Sequence, residues 1–223
     1  MGKLVGVIAG TPVDTQMGVD FLIERGIEAK GYPISKDAKE QSRFQLLSKD
    51  ELHREVVEIV RKAKLHNVDI MFAYCNSLSA AVDMERVSRE TDIDIITPFS
   101  AYIDFGREYS SLLVLAANGQ SCGKIESVLE ESNRGVKIWS ISALPLVQEI
   151  ETRDGDSIIF NRLNLELILK WAELNEIEGI VLGCTHFPYM SKSFHGRTTI
   201  PILDPAEKML QKMVDTWMAT SNI

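Results

Sequence analysis

The sequence predicts an α/β protein with two pseudo-symmetric lobes, each a parallel sheet flanked by helices, and a site in the cleft between them. One reason is that strand-like apolar runs alternate with helix-like stretches along the chain, an order typical of parallel sheets with right-handed crossovers. The other is that a helix–strand–Cys pattern occurs once in each half, ending at Cys75 and at Cys184. The two halves share few identical residues, so the repeat is inferred from the order of the predicted elements and not from sequence identity.

Elements of the first half follow from periodicity and from helix-start signals. Ser48 and Glu51 resemble a capping box, which predicts that a helix begins there and continues to Asn67. The expected strands are Lys3–Ala9, Val68–Ala73 and Asp94–Ile96, and the other expected helices are Thr15–Arg25, Ser79–Thr91 and Ser100–Glu108.

The second half repeats this alternation and ends in an amphipathic helix, Pro205–Met218. Its expected strands are Ser111–Ala117, Val136–Ser140, Gly179–Gly183 and Ile200–Asp204, and its other expected helices are Gly123–Ser132 and Leu163–Asn175. We therefore expect residues 1–97 with 205–223 to form the lobe that carries Cys75. We expect residues 98–204 to form the lobe that carries Cys184.

Composition excludes several classes of protein. The chain has 223 residues, 45% of them hydrophobic, and a formal net charge of −8 without a basic cluster, which argues against nucleic-acid binding. No apolar run approaches the ~18 residues of a membrane span, and the amino-terminal apolar stretch is too short for a signal peptide. The chain has three cysteines, an odd number that cannot all pair in disulfides. We therefore expect a cytoplasmic protein with reduced thiols.

The two cysteines that end apolar runs are the candidate catalytic groups. Cys75 stands in Tyr-Cys-Asn-Ser and Cys184 in Gly-Cys-Thr-His-Phe-Pro, just past the strand ends where open α/β sheets place their ligands. Inverting a stereocentre requires a base on one face of the α-carbon and an acid on the other. Cysteine suits both roles, because its free pKa of ~8.5 can be shifted so that one thiol is ionised while the other stays protonated.

Other residue types have plainer interpretations. Cys122 has no flanking motif and is expected to fill the core. His53, His66 and His195 lack ligand spacing, so no metal site is expected.

Asn76, Ser77, Thr185 and helix amino-terminal amides are candidate hydrogen-bond donors to a substrate carboxylate. A dithiol redox pair fits poorly, because cysteines on separate lobes would not reach the ~3.5–4.5 Å Cβ separation of a disulfide.

Three motifs carry a family resemblance: Tyr-Cys-Asn-Ser-Leu-Ser-Ala at 74–80, Gly-Cys-Thr-His-Phe-Pro at 183–188, and Asp-Pro-Ala at 204–206. Together they resemble the aspartate/glutamate racemase superfamily, and the second motif is most similar to glutamate racemases. The resemblance implies racemisation of an acidic amino acid without pyridoxal phosphate, metal or other cofactor. It implies Cys75 and Cys184 as the acid/base pair and His186 as an assistant of Cys184. The substrate-binding residues that it implies are Gly10, Thr11, Asn76, Ser77, Asn118, Ser121 and Thr185.

The chain departs from the glutamate racemase pattern at two acidic positions. Ala9 stands at the first turn where an acidic partner of Cys75 is expected, and Asp14 is a possible substitute. Gln148 stands where the family pattern Pro-x-Val-Glu has its Glu, and Glu149 or Glu151 is a possible replacement. The turn Gly6–Pro12 is more similar to the start of aspartate racemases. The choice between glutamate and aspartate therefore stays open.

Three functions remain after these observations. The first is a racemase of glutamate or aspartate, expected to act as a homodimer because dimers are the commonest closed assembly. The second is another enzyme of the superfamily, of the hydantoin racemase, maleate isomerase or decarboxylase type, although having both cysteines argues against decarboxylases that keep one. The third is a non-catalytic amino-acid-binding protein that kept the cleft and lost the chemistry.

Overall fold

The computed structural model describes residues 3–36 and 47–220, apart from the side chain of Thr220. Its contacts divide the chain into two units, with boundaries between Pro98 and Phe99 and between Pro205 and Ala206. The first unit therefore contains both the amino-terminal and the carboxy-terminal parts of the chain. Within the described ranges no helix is long and apolar enough to cross a membrane.

Each unit is built on a four-stranded parallel sheet, and the two sheets have the same strand order. The first, in the order β2-β1-β3-β4, contains β1 (Val5–Ala9), β2 (Ala29–Pro33), β3 (Ile70–Ala73) and β4 (Asp94–Ile96). The second, in the order β6-β5-β7-β8, contains β5 (Ser111–Ala116), β6 (Lys137–Ser142), β7 (Gly179–Gly183) and β8 (Ile202–Leu203). The expected α/β fold with parallel sheets and a structural repeat is confirmed.

Helices connect the strands and cover the sheets. In chain order they are α1 (Pro12–Ile23), α2 (Lys49–Leu65), α3 (Asn76–Ala81), α4 (Met84–Thr91), α5 (Phe99–Glu108), α6 (Gly119–Ser132), α7 (Leu144–Glu151), α8 (Asp156–Arg162), α9 (Glu166–Leu174), α10 (Ser191–His195) and α11 (Pro205–Thr220). A 3₁₀ turn, Phe187–Met190, precedes α10.

The central strands are buried along their whole length, which explains their uninterrupted apolar sequences. Every residue of β1, β3, β5 and β7 is buried. Separate apolar clusters fill the two sides of each sheet, so each unit has three layers, helices on both faces of one sheet. This double covering is the usual environment of all-parallel strands.

The capping box predicted at the start of α2 is present. The Ser48 hydroxyl accepts a hydrogen bond from the Glu51 amide at 3.3 Å, and the Ser48 amide donates to the Glu51 carboxylate at 2.9 Å. Two amide groups that the helix itself leaves unpaired are thereby satisfied, which fixes where α2 begins.

The single helix expected over Ser79–Thr91 is wrong. The chain forms α3 and α4 instead, with Val82 in an extended conformation between them. The carboxylate of Asp83 accepts a hydrogen bond from the Arg86 amide at 2.9 Å and starts the new helix. Aspartate competes in this way for backbone amides, and here the local cap outweighs the continuous helical pattern.

Helices α7 and α8 were not expected from the sequence. Both are short, and residues 152–155 join them, with Arg153 at a φ of 60°. Helix α9 begins at Glu166, later than the expected Leu163, because Asn164 has a left-handed backbone with φ of 50°.

Two helical glycines differ in what surrounds them, and we expect opposite responses to alanine. A Cβ on Gly18 would lie 2.8 Å from the Val7 and Tyr74 side chains, whereas nothing lies within 4 Å of one on Gly123. Gly18→Ala should lower the free energy of unfolding by about 1–3 kcal/mol through overpacking of α1 against β1. Gly123→Ala should raise it by about 0.5–1 kcal/mol through helix propensity.

Urea denaturation of both variants measures these changes, and each serves as the control for the other. Equal and favourable shifts in both would contradict the close packing of α1 on the first sheet.

Candidate functional site

Cys75 and Cys184 occupy equivalent places in the two sheets. Cys75 follows β3 by two residues and Cys184 follows β7 by one, and each of these strands is third in its sheet order. The carboxyl ends of parallel strands share one edge of a sheet, so each thiol lies beside the loop that leaves the neighbouring strand. That strand is β1 in the first unit and β5 in the second.

The Cys75 thiol lies in a buried polar setting. The residue is 5% exposed and immediately precedes α3. Its sulfur is 3.3 Å from the Ser77 hydroxyl oxygen, and the backbone groups of Gly10 and Leu78 lie close enough to stabilise its thiolate form. The turn after β1 and the start of α3 therefore meet at this sulfur, which brings the sequence candidates Gly10, Cys75 and Ser77 together.

Two effects raise the pKa of Cys75 above its ordinary value. Burial is the larger, and the negative charge of Asp14 is the second. Hydrogen bonds from Ser77, Leu78 and Gly10 act in the opposite direction, because they stabilise the thiolate. The balance keeps the Cys75 thiol protonated at neutral pH and therefore able to donate a proton.

Asp14 is held in place by the start of α1. Its amide donates to the Thr11 hydroxyl at 3.2 Å, and the Thr15 hydroxyl donates to the Thr11 carbonyl at 2.7 Å. Thr11 is thus the amino-terminal cap of α1, a structural role for a residue expected to bind substrate. Asp14 is 5% exposed, and its charge acts on Cys75, so an acidic group lies near this thiol although Ala9 is not acidic.

Ser35 supports the Gly10 turn and was missed in the sequence. It is 1% exposed, its hydroxyl donates to the Gly10 carbonyl at 2.5 Å, and its amide donates to the same oxygen at 3.1 Å. The Gly10 peptide is therefore fixed near the Cys75 thiol, whose pKa it lowers. No motif marks Ser35, because its role depends on a contact with a turn 25 residues earlier.

The Cys184 thiol has a different partner. Its sulfur is 3.7 Å from Nδ1 of His186, and both residues are buried. On the other side of the ring, Nε2 of His186 is 3.5 Å from a carboxylate oxygen of Glu151, at the end of α7. The imidazole lies beside the thiol and can take a proton from the sulfur, and the carboxylate lies at ion-pair distance behind the ring.

Glu149 and Glu151 are the candidates to replace the glutamate that this chain lacks at position 148. Of these two, Glu151 lies beside His186. Glu149 instead pairs with Arg162, whose other nitrogen donates to the Asp154 carboxylate at 2.7 Å. The Tyr189 hydroxyl donates to the Asp154 carbonyl at 2.9 Å. These contacts tie the end of α7 to α8 and to the turn after Cys184, and Gln148 is exposed.

The remaining candidates of the second unit lie at the same sheet edge as Cys184. Ala116 and Gly183 are paired in register, so the loop that holds Asn118 starts beside the one that holds Cys184. The Asn118 side-chain oxygen accepts from the Ser121 amide at 2.9 Å and caps α6. Ser121 is buried and Thr185 is half-buried. Asn118 thus occupies in this unit the capping position that Thr11 has in the first.

All three cysteines are free thiols. Cys122 packs in the apolar cluster beneath α6, and its pKa is raised by burial and then by the charge of Glu126. The described residues contain no grouping of three or more His, Cys, Asp or Glu side chains that is suited to a metal ion. The polar groups around the two candidate thiols are thus hydrogen-bond donors, carboxylates and one imidazole.

Sequence comparison finds relatives among curated racemases, although no family model matches. The chain is 24% identical to the glutamate racemase of Limosilactobacillus reuteri over 171 residues, which cover 74% of this chain and 63% of that protein. It is 25% identical to glutamate racemase 3 of Caldanaerobacter subterraneus over 170 residues, 73% of this chain and 60% of that protein. The chain thus spans less than two thirds of the length of these relatives.

Structure comparison finds the same fold in solved racemases. An aspartate racemase homologue from Pyrococcus horikoshii has a TM-score of 0.74 at 20% identity, over 97% of this chain and 99% of that one. The glutamate racemase of Francisella tularensis in complex with D-glutamate has a TM-score of 0.69 at 14% identity, over 99% and 82% of the respective chains. These similarities show a shared fold.

Removing the charge of Asp14 should make the Cys75 thiol more acidic. Because that charge raises the pKa of Cys75, Asp14→Asn should lower it, while burial still keeps it above the ordinary value. The pH dependence of Cys75 alkylation, followed by mass spectrometry, measures this shift as faster labelling near neutral pH.

Glu126→Gln is the matched control, because its charge acts on Cys122 and should speed labelling of that residue alone. An unchanged Cys75 profile in Asp14→Asn would contradict the electrostatic coupling.

Proposed function

We propose that this chain, which has the fold of the aspartate/glutamate racemase superfamily and is related in sequence to its glutamate racemases, is a cofactor-independent racemase of an acidic amino acid. The substrate is glutamate or aspartate, and the acid/base pair is Cys75 and Cys184. Residues 1–97 with 205–223, and residues 98–204, are the two lobes of the enzyme in this proposal.

The observation that carries the proposal is the equivalent placement of two buried thiols, each with its own proton partner. Both thiols follow the third strand of a sheet with the same topology. Cys75 has Ser77 and the charge of Asp14, and Cys184 has His186 backed by Glu151. A core-filling cysteine needs no such neighbours, whereas a thiol that exchanges protons does.

The proposed reaction moves one proton off the α-carbon and another one on. The Cys184 thiol passes its proton to His186, and the resulting thiolate removes the α-proton, leaving a carbanion stabilised by the substrate carboxylate. The Cys75 thiol then donates its proton to the opposite face and becomes the thiolate. In the reverse direction Cys75 is the base and Cys184 the acid. Before another turnover in the same direction, His186 releases its proton to solvent and the Cys75 thiolate takes one up, so the protons balance.

The substrate carboxylates require donors that are fixed before binding. The proposed donors are the amides at the starts of α1 and α6, with side chains and backbone of the residues that flank the two cysteines. They are Gly10, Thr11, Asn76, Ser77, Asn118, Ser121 and Thr185. Because the Thr11 and Asn118 oxygens already accept hydrogen bonds within their helices, we assign substrate contact there to groups other than those oxygens.

Replacing either candidate cysteine should abolish racemisation. Purified protein is incubated with L-glutamate or L-aspartate without added cofactor, and the enantiomers are separated by chiral chromatography. Cys75→Ala and Cys184→Ala should each lower kcat by at least about 10²–10⁴, because one face of the α-carbon then lacks its acid/base group.

Cys122→Ala is the control, since this buried thiol packs in the apolar core of the second unit and should keep activity near that of the unchanged protein. Full activity in both test variants would exclude the two-thiol reaction. Stabilisation of the unchanged protein by glutamate or aspartate without any turnover would favour a binding protein, and turnover of a hydantoin or maleate instead would favour another superfamily activity.

His186 should matter more for turnover than for binding. His186→Asn should lower kcat by about 10²–10⁴ with little change in KM, because the ring accepts a proton in the reaction and is not assigned to the carboxylates. Glu151→Gln should give a smaller decrease of the same kind, since its carboxylate contacts the far side of the ring.

Gln148→Ala is the matched control on α7, where the side chain is exposed. Steady-state kinetics with a chiral assay measure kcat and KM of these variants. A change confined to KM would contradict proton transfer by His186.

A further inference from the structure

The carboxylate of Glu151 is only weakly held by its own contact with His186. Glu151 is the last residue of α7, and its side chain is 53% exposed. Within the described ranges its one ion pair is the contact of 3.5 Å with Nε2 of His186. An exposed ion pair contributes little to holding a side chain in one place. The position of this carboxylate therefore depends on how firmly the end of α7 is fixed.

Arg162 binds the end of α7 to the turn that follows it. It is the last residue of α8, and one guanidinium nitrogen contacts the Glu149 carboxylate while another donates to the Asp154 carboxylate at 2.7 Å. Glu149 lies two residues before Glu151, and Asp154 lies three residues after it. The hydrogen bonds to Asp154 and Glu149 raise the pKa of Arg162, so the guanidinium stays charged. One side chain thus fixes the chain on both sides of Glu151.

The turn that Arg162 holds has a strained backbone. Arg153 has a φ of 60°, a left-handed conformation that is costly for a residue with a side chain and that persists only where surrounding contacts determine it. Within the turn, the Thr152 hydroxyl donates to the Glu149 carbonyl at 2.7 Å and accepts from the Asp154 amide at 3.3 Å. Arg162 adds the side-chain contacts that join this turn to α8.

The same turn is bound to the segment that carries His186. The Tyr189 hydroxyl donates to the Asp154 carbonyl at 2.9 Å, and the Tyr189 amide donates to the His186 carbonyl at 3.1 Å. Asp154 therefore has two partners, Arg162 at its carboxylate and Tyr189 at its carbonyl. The contacts form a closed network that passes through Glu151, His186, Tyr189, Asp154, Arg162 and Glu149 and returns along α7 to Glu151.

Arg162 also determines which carboxylate is left for the imidazole. Glu149 and Asp154 are both bound to its guanidinium, and Asp156 accepts a hydrogen bond from the Ser193 hydroxyl at 2.9 Å. Of the carboxylates on α7, on the turn after it and at the start of α8, Glu151 is the one in contact with His186. Without the guanidinium, the two carboxylates that it bridges would repel each other and the turn would open.

We propose that Arg162 is a positioning residue for Cys184 and His186, because it holds the end of α7 so that the Glu151 carboxylate stays beside the imidazole. Its consequence for catalysis rests on the proposed function, whereas the geometry itself requires no substrate. When the Cys184 thiol passes its proton to His186, the nearby carboxylate stabilises the imidazolium that forms. Arg162 contacts neither the thiol nor the ring and acts through Glu151.

Labelling of Cys184 with iodoacetamide tests this arrangement without substrate. The thiolate is the reactive form, and Glu151 favours it by stabilising the neighbouring imidazolium. Glu151→Gln and Arg162→Met should each slow Cys184 labelling at neutral pH, measured by mass spectrometry, by about two- to fivefold. The double variant should be no slower than Glu151→Gln alone, because Arg162 acts through the same carboxylate.

Tyr189→Phe provides a second variant that removes only one hydroxyl. It breaks the other contact of Asp154, so it should slow Cys184 labelling in the same direction as Arg162→Met. In the chiral assay, kcat of both variants should fall while KM changes little, since the substrate carboxylates are bound elsewhere. The thermal midpoint of each variant shows that it is folded.

Arg107→Met is the matched control, an exposed arginine in the last turn of α5 in the same unit, and should label like the unchanged protein. The proposal is overturned if Arg162→Met does not slow labelling, or if Arg107→Met slows it equally. It is also overturned if the effects of Arg162→Met and Glu151→Gln multiply, because Arg162 would then act independently of Glu151. Expected labelling in a chain without racemase activity would contradict the proposed function and leave the role of Arg162 standing.

Discussion

The arrangement of the molecule depends on one constraint, the shared direction of the strands in each parallel sheet. Parallel strands end at the same edge, so the loop after β1 meets the loop after β3, and the loop after β5 meets the loop after β7. Cys75 and Cys184 lie in these loops. Because both sheets have the same order, the two thiols occupy equivalent positions although the two halves share few residues.

Equivalent positions do not give the thiols equivalent chemistry. Around Cys75 the neighbours are backbone amides, a hydroxyl and the charge of Asp14, and its pKa is raised by burial first and by that charge second. Cys184 instead lies beside an imidazole with a carboxylate behind it. In the proposed reaction, Cys75 keeps its proton while Cys184 gives its proton to His186. One thiol is then ready as the acid and one thiolate as the base.

The sequence was most informative where the signal was local. The buried strands ending at the two cysteines and the capping box of Ser48 could be predicted, because each depends on neighbouring residues. Contacts between segments that are distant in the sequence could not be predicted in the same way. Ser35 supports Gly10 across two strands, and the selection of Glu151 over Glu149 at His186 depends on how Arg162 holds the end of α7. The break between α3 and α4 was missed because the cap at Asp83 outweighed an unbroken helical pattern.

The central claim, that two different thiols serve the two faces of one α-carbon, is tested most directly by racemisation in D₂O. At early times the product enantiomer and the remaining substrate are separated and analysed for deuterium at Cα by mass spectrometry. The account predicts that the product carries one solvent deuteron while the recovered substrate keeps its original hydrogen, since the removed proton and the delivered deuteron belong to separate groups. Product that retains the original hydrogen would contradict it, because a single group would then have removed and returned the same proton.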